Sequence, residues 1–211
     1  MIVDYNLARD CIRDILDRQL EKQGEVPSHV VLLGETAAMS HGIRPLANSV
    51  DFFATDCDYE IVVRVEAEIR KSLGVEFSIN VTTTEMLYGL FLLRDIGASP
   101  EIDRLQLGNT TVQIKRLSLV DLAISKVALG RPEDLQNLSS IRPRVSESDL
   151  ILRFNAIHRT LVDRATQPVL ADQFVLFVAG GMGLERECDI IERLTVPDLV
   201  KAMLLEMRHA E

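Results

Sequence analysis

The 211 residues are 47% hydrophobic and 26% charged, which is the balance of a globular chain with ample apolar material for a core. That length fits one domain, or a domain with a modest appendage. A formal charge of −9 argues against a general grip on nucleic acid or on an anionic membrane surface.

In chain order, Leu7, Cys11, Ile12, Ile15, Leu16 and Leu20 recur at helical spacing between charged residues and predict an amphipathic helix over 4–23, ended by Gly24. Val30 to Leu33 is a continuous apolar run, as in a strand buried on both faces. A Gly turn and a small-residue helix to His41 follow, closed by Gly42. Ser49 to Ala54 reads as a second strand, and Asp56 or Asp58 can cap a helix to Leu73. Val75, Phe77, Ile79 and Val81 alternate with polar residues, the period of a half-buried strand. A helix is predicted over 85–95, then a hairpin about Gly108-Asn109. Ser118 to Asp121 nearly forms a capping box and opens a helix to Leu129, with a short helix from Glu133 to Ile141. Pro143, within Arg142 to Glu147, marks a boundary between an α/β domain over 1–145 and a mainly helical segment over 146–211. Within that segment, helices are expected over 148–164 and 196–207, while Leu170 to Val178 fits a strand or a buried helix equally.

Cys11, Cys57 and Cys188 are odd in number and widely spaced, so free buried thiols in a reducing compartment are expected. The opening MIVDYNLARD has early acids and no apolar stretch, unlike a signal peptide, and the longest apolar runs are too short to span a bilayer. A cytoplasmic location without membrane partners is therefore the expectation.

The stretch from Val30 to Ala54 carries the chemistry. A strand that ends in Gly34 and turns at once into a helix aims backbone N–H groups at an anion, and the missing Cβ allows close approach. Carboxylates at i and i+2 of a strand share a face and could jointly hold a divalent cation, but here that face carries Ser49 and Asp51. Gly180-Gly181-Met182-Gly183 lacks the Lys-Ser/Thr of a phosphate loop and reads as a plain loop. His41 and His158 read as structural, and the acidic runs 56–60 and 185–189 as solvated faces.

Gly34, Ala37, Gly42, Arg44 and Asp51 match a Gly-Gly-x-Ala…Gly…Arg…Asp-h-Asp pattern after an apolar strand. A second block runs from Leu117 through Ser118, Leu119, Asp121, Leu122, Lys126, Gly130 and Arg131 to Asp134 and Leu135. With these two blocks in order, the chain resembles the nucleotidyltransferase superfamily, in its bacterial toxin-like, single-domain branch. The resemblance covers roughly 30–141. It implies a mixed-sheet α/β core and transfer of a nucleotidyl group from a nucleoside triphosphate with Mg²⁺. It also implies that Asp51 is a metal ligand, Gly34 the phosphate-approach turn, Lys126 a triphosphate contact, and Arg44 and Arg131 supports for phosphate or fold.

Four departures fall inside the pattern. Ser49 replaces the first carboxylate of the pair, Glu35 replaces the second Gly, and Asn137 replaces an Asp. The following strand offers only Glu76 as a third acid, with Ser78 and Asn80 on its face. Two readings follow. One is an active Mg²⁺-dependent enzyme that moves a nucleoside monophosphate to an RNA, protein or small molecule, using Asp51 with Glu35 or Glu76. The other is a catalytically impaired descendant that binds a nucleotide, a protein partner or a second copy and regulates. The departures favour the second.

Overall fold

Apolar positions at helical spacing build the first element, α1 (Tyr5–Gln23), whose buried face is Ala8, Cys11, Ile12, Ile15, Leu16 and Gln19. Asp4 caps it by accepting the Leu7 N–H at 2.8 Å, and Gly24 ends it. The structure is a computed structural model that describes residues 3–82, 99–130, 132–158 and 166–209. The chain divides into two units, Met1–Ser118 and Leu119–Glu211.

The first unit is α/β. After α1 come β1 (His29–Leu32), α2 (Gly34–Ser40), β2 (Ser49–Ala54), α3 (Tyr59–Leu73), β3 (Ser78–Thr82), β4 (Glu101–Leu107) and β5 (Thr110–Arg116). The strands form one mixed sheet in the order β3-β2-β1-β5-β4. β1 lies at its centre, antiparallel to β2 and parallel to β5, which is why Val30, Val31 and Leu32 are an unbroken buried run. β3 joins the edge parallel to β2, with α3 as the crossover that this geometry requires. The hairpin of β4 and β5 is antiparallel and turns at Gly108-Asn109, as its sequence predicts. Asp58 caps α3 through the N–H groups of Glu60 and Ile61 and also pairs with Lys22 at 2.8 Å, so the acidic run 56–60 is partly a structural joint and not only a solvated face. Gln19 reinforces that joint: buried on α1, it donates to the Asp56 carbonyl at 2.7 Å and accepts the Asp58 N–H at 3.1 Å.

The second unit is helical among its described residues: α4 (Leu119–Leu129), α5 (Pro132–Ile141), a 3₁₀ turn (Arg142–Arg144), α6 (Glu147–His158), α7 (Thr166–Ala179), α8 (Leu184–Arg193) and α9 (Asp198–His209). Phe154 of α6 stacks on Phe174 of α7 with centroids 4.0 Å apart, at the centre of its core. Arg208, only 5% exposed, forms ion pairs from α9 to Asp172 of α7 and Glu187 of α8. The acidic run 185–189 therefore supplies partners to buried and half-buried arginines and is not simply a solvated face.

Several expectations need adjustment. The stretch 170–178 is helix: Leu170, Ala171, Phe174, Val175 and Val178 are buried on one face of α7, but the exposed face carries apolar Val169 and Leu176 as well, which hides the helical period in the sequence. β3 starts at Ser78, leaving Val75 and Glu76 exposed ahead of it. Pro143 lies within a 3₁₀ turn that continues the helical unit, where its fixed φ is tolerated, and Arg142 donates to the Val178 carbonyl at 3.0 Å. The two compact units meet between Ser118 and Leu119. The helix expected over 85–95 and the end of the one expected to 164 lie outside the described residues. The three cysteines form no disulfide; burial pushes the Cys11 thiol up to about 12 and the Cys57 thiol to about 11, so both are poor nucleophiles at neutral pH. No helix among the described residues is long and apolar enough to cross a membrane.

His158 is buried beside Phe154, and that burial lowers its pKa from the ordinary 6.5 despite a contact with the Gln167 carbonyl. The folded chain thus holds the neutral ring while the unfolded chain takes up the proton first. Unfolding free energy is therefore expected to fall as pH drops below about 6.5. Urea titrations across that range should show a shallower fall for His158→Phe; an unchanged slope would contradict the burial argument.

Candidate functional site

Everything at the turn after β1 converges on one side chain, Asp51. Its strand, β2, runs antiparallel to β1 with Leu32 opposite Phe52, which brings Asp51 level with the turn into α2. Gly34 has φ +46, and a Cβ there would come within 2.7 Å of Asp51 Oδ2. The glycine is needed both for its left-handed backbone and for the space that the carboxylate fills. Into that space the Glu35 N–H donates to Asp51 Oδ2 at 2.9 Å. The Ser49 hydroxyl donates to the same oxygen at 2.9 Å, and the Asn80 side-chain amide donates to Oδ1 at 2.7 Å. The backbone of Asp51 is satisfied as well: its N–H donates to Thr36 Oγ1 at 2.7 Å and its carbonyl accepts the Leu33 N–H at 2.9 Å.

Glu35 turns away from this point. One carboxylate oxygen is paired with Arg44 and the other accepts the Asn48 N–H at 2.9 Å. Arg44 in turn donates from Nε to the Leu46 carbonyl at 2.6 Å. Glu35 and Arg44 thereby staple the 44–48 loop to the start of α2, and the acid also suits the positive end of that helix.

The structure thus brings Gly34, Glu35, Arg44, Ser49 and Asp51 into one local network. It does not bring Glu76 there. The parallel register sets Asn80 opposite Asp51 and Ser78 opposite Ser49, and Glu76 lies exposed before the strand begins. Lys126 belongs to the second unit, where it is 3% exposed and paired with Asp134, itself nearly buried. A buried Lys–Asp pair of this kind cannot lose one partner without stranding the other charge. Arg131 lies outside the described residues. Asn137 is buried on α5. His41, as expected of a structural histidine, contacts the Leu117 carbonyl through Nε2 at 2.7 Å.

Three participants escaped the sequence reading: Thr36, Asn48 and Asn80. Asn80 carried a signal, since it shares the strand face on which a third acid was sought. Thr36 and Asn48 carried none, because their roles depend on how the 42–48 loop folds back.

The donor chemistry decides what this network can hold. A divalent cation needs several anionic or carbonyl oxygens, yet the groups around Asp51 are an N–H, a hydroxyl and an amide that present hydrogens to it. Among the described residues, no group of three or more His, Cys, Asp or Glu side chains could hold a metal ion. The space at Gly34 that a phosphate would approach is filled by the Asp51 carboxylate. Neither Mg²⁺ nor a triphosphate fits the network as it stands. No protein-family model matches the chain, and no curated protein or solved structure is detectably similar to it.

Gly34→Ala should lower stability by about 2 kcal/mol, combining a left-handed residue with a displaced carboxylate. Chemical denaturation measures it, and a change below about 0.5 kcal/mol, the scale of an ordinary surface substitution, would show that the turn has room to spare.

Proposed function

We propose that the protein is a nucleotidyltransferase-like α/β protein that has given up nucleotidyl transfer and acts by binding a nucleotide or a protein partner in a regulatory role. The observation that carries this reading is the state of Asp51. The residue that the motif would assign to metal accepts three hydrogen bonds from the chain's own Glu35 N–H, Ser49 and Asn80. A phosphoryl-transfer centre works by neutralising and positioning negative charge, so it needs clustered carboxylates to hold Mg²⁺ and bare backbone to meet the phosphates. Here a neutral hydroxyl and a neutral amide occupy the neighbouring positions, and an internal carboxylate lies where an external anion would lie. The substitutions are mutually consistent: Ser49 and Asn80 each turn a position that could repel Asp51 into a donor to it, while Glu35 takes up Arg44.

The ancestry itself rests on the two sequence blocks and is supported by their setting. The first block lies on strand, Gly turn, helix and antiparallel strand, and the second opens a helix directly after β5. The active-enzyme alternative would need both the Asp51 network to open and a second acid to arrive from elsewhere.

Transfer of labelled nucleotide from each of the four ribonucleoside triphosphates, with Mg²⁺ or Mn²⁺, is the test. The expected outcome is no metal-dependent transfer to the protein itself, to RNA or to a small-molecule extract. Metal-dependent transfer that disappears in Asp51→Asn would overturn the reading.

A further inference from the structure

The two edges of the sheet differ in how they discourage a foreign strand. β4 carries charges of its own, Glu101, Asp103 and Arg104, which oppose pairing with another chain. β3, at the other edge, reads Ser78-Ile79-Asn80-Val81-Thr82, with neither charge nor proline and with β-branched Ile, Val and Thr. Among the described residues no strand lies beyond it. By composition alone, β3 is an edge that invites a further strand.

The direction of its backbone groups follows from its pairing. A residue in a strand points its N–H and C=O to the same side, and successive residues alternate. The Ser78 N–H donates toward β2, to the Asn48 carbonyl at 3.4 Å, so the backbone groups of Phe77, Ile79 and Val81 point away from β2. Two of these outward groups are occupied by side chains of α3. Glu66 Oε2 accepts the Ile79 N–H at 2.7 Å, and Arg70 Nε donates to the Phe77 carbonyl at 2.5 Å. Glu66 and Arg70 lie one helical turn apart and are paired with each other at 3.0 Å. A residue of a parallel neighbouring strand would reach the same two groups, with its N–H on one and its C=O on the other. The Glu66–Arg70 pair imitates that residue. Phe77 and Ile79 are both buried, where an unmade backbone hydrogen bond is costly.

We propose that Glu66 and Arg70 form an autoinhibitory guard on the β3 edge, which blocks addition of the same strand from a second copy of the chain. With the guard closed, an incoming strand meets hydrogen bonds that are already made. With the guard removed, the outward groups of Phe77, Ile79 and Val81 need a new partner. A second β3 fits them, because two uncharged edges related by a two-fold axis meet without like-charge repulsion.

Sedimentation velocity of the full chain tests this. Glu66→Ala combined with Arg70→Ala should associate to twice the wild-type mass at concentrations where wild type keeps its own. Adding Val81→Pro to that variant should restore the wild-type mass, since it removes an outward N–H that β2 does not use. Amide hydrogen exchange on wild type gives a second readout that needs no substitution: the Ile79 N–H, held by Glu66, should exchange about tenfold or more slower than that of Val81. A folded double variant of wild-type mass, or association that Val81→Pro leaves unchanged, would overturn the proposal. So would an Ile79 amide that exchanges as fast as that of Val81, and this comparison decides the matter if the double variant does not fold.

Discussion

A carboxylate set against a left-handed glycine at the end of the central strand is the constraint on which the first unit depends. Asp51 fills the volume that Gly34 leaves open and accepts the Glu35 N–H in the first turn of α2. Through Asn80 it also fixes its own strand to the edge strand β3. Each hydrogen bond to a charged group is worth about 1.5–3 kcal/mol, so this one side chain is a major term in a domain whose whole stability is of the order of 10 kcal/mol. The staple of Glu35 to Arg44 and Asn48 extends the same network into the following loop. Strand, turn, helix and loop are thus held by one connected set of polar side chains.

The same economy recurs in the second unit, where charges are buried only with partners. Lys126 is enclosed with Asp134, and Arg208 with Asp172 and Glu187. Glu147 accepts ion pairs from both Arg186 and Arg193. Such pairs add little net stability over apolar packing, but they make each partner indispensable to the other. A lysine that looks like a phosphate contact in the sequence is, in its setting, half of a structural pair.

Much of the architecture was legible because the period of the apolar residues reports it. Leu7 to Leu20 declared α1, Val30 to Leu33 a strand buried on both faces, and the Gly108-Asn109 hairpin its own turn. Where the pattern is uniform it says less: the apolar surround of α7 erased the distinction between helix and strand over 170–178. Where it depends on register it misleads, since the alternation from Val75 suggested a strand two to three residues longer than β3. The candidate site was half legible. The sequence identified Gly34, Glu35, Arg44, Ser49 and Asp51 as one group, and it marked Ser49 and Glu35 as departures from catalytic chemistry. It could not tell that Asn80, not Glu76, lies beside Asp51, because that follows from the parallel pairing of β2 and β3 set by the α3 crossover. Nor could it tell that Glu35 and Arg44 would find each other.

Equilibrium unfolding of Asp51→Ala distinguishes a structural carboxylate from a catalytic one by the sign of its effect. Carboxylates kept for metal or substrate commonly sit in strained sites whose removal leaves a protein equally or more stable. A carboxylate that satisfies three donors should do the reverse. The predicted result is a loss of about 3 kcal/mol or more in unfolding free energy, unchanged by Mg²⁺ and nucleoside triphosphate. An Asp51→Ala variant as stable as wild type, or more so, would contradict the account.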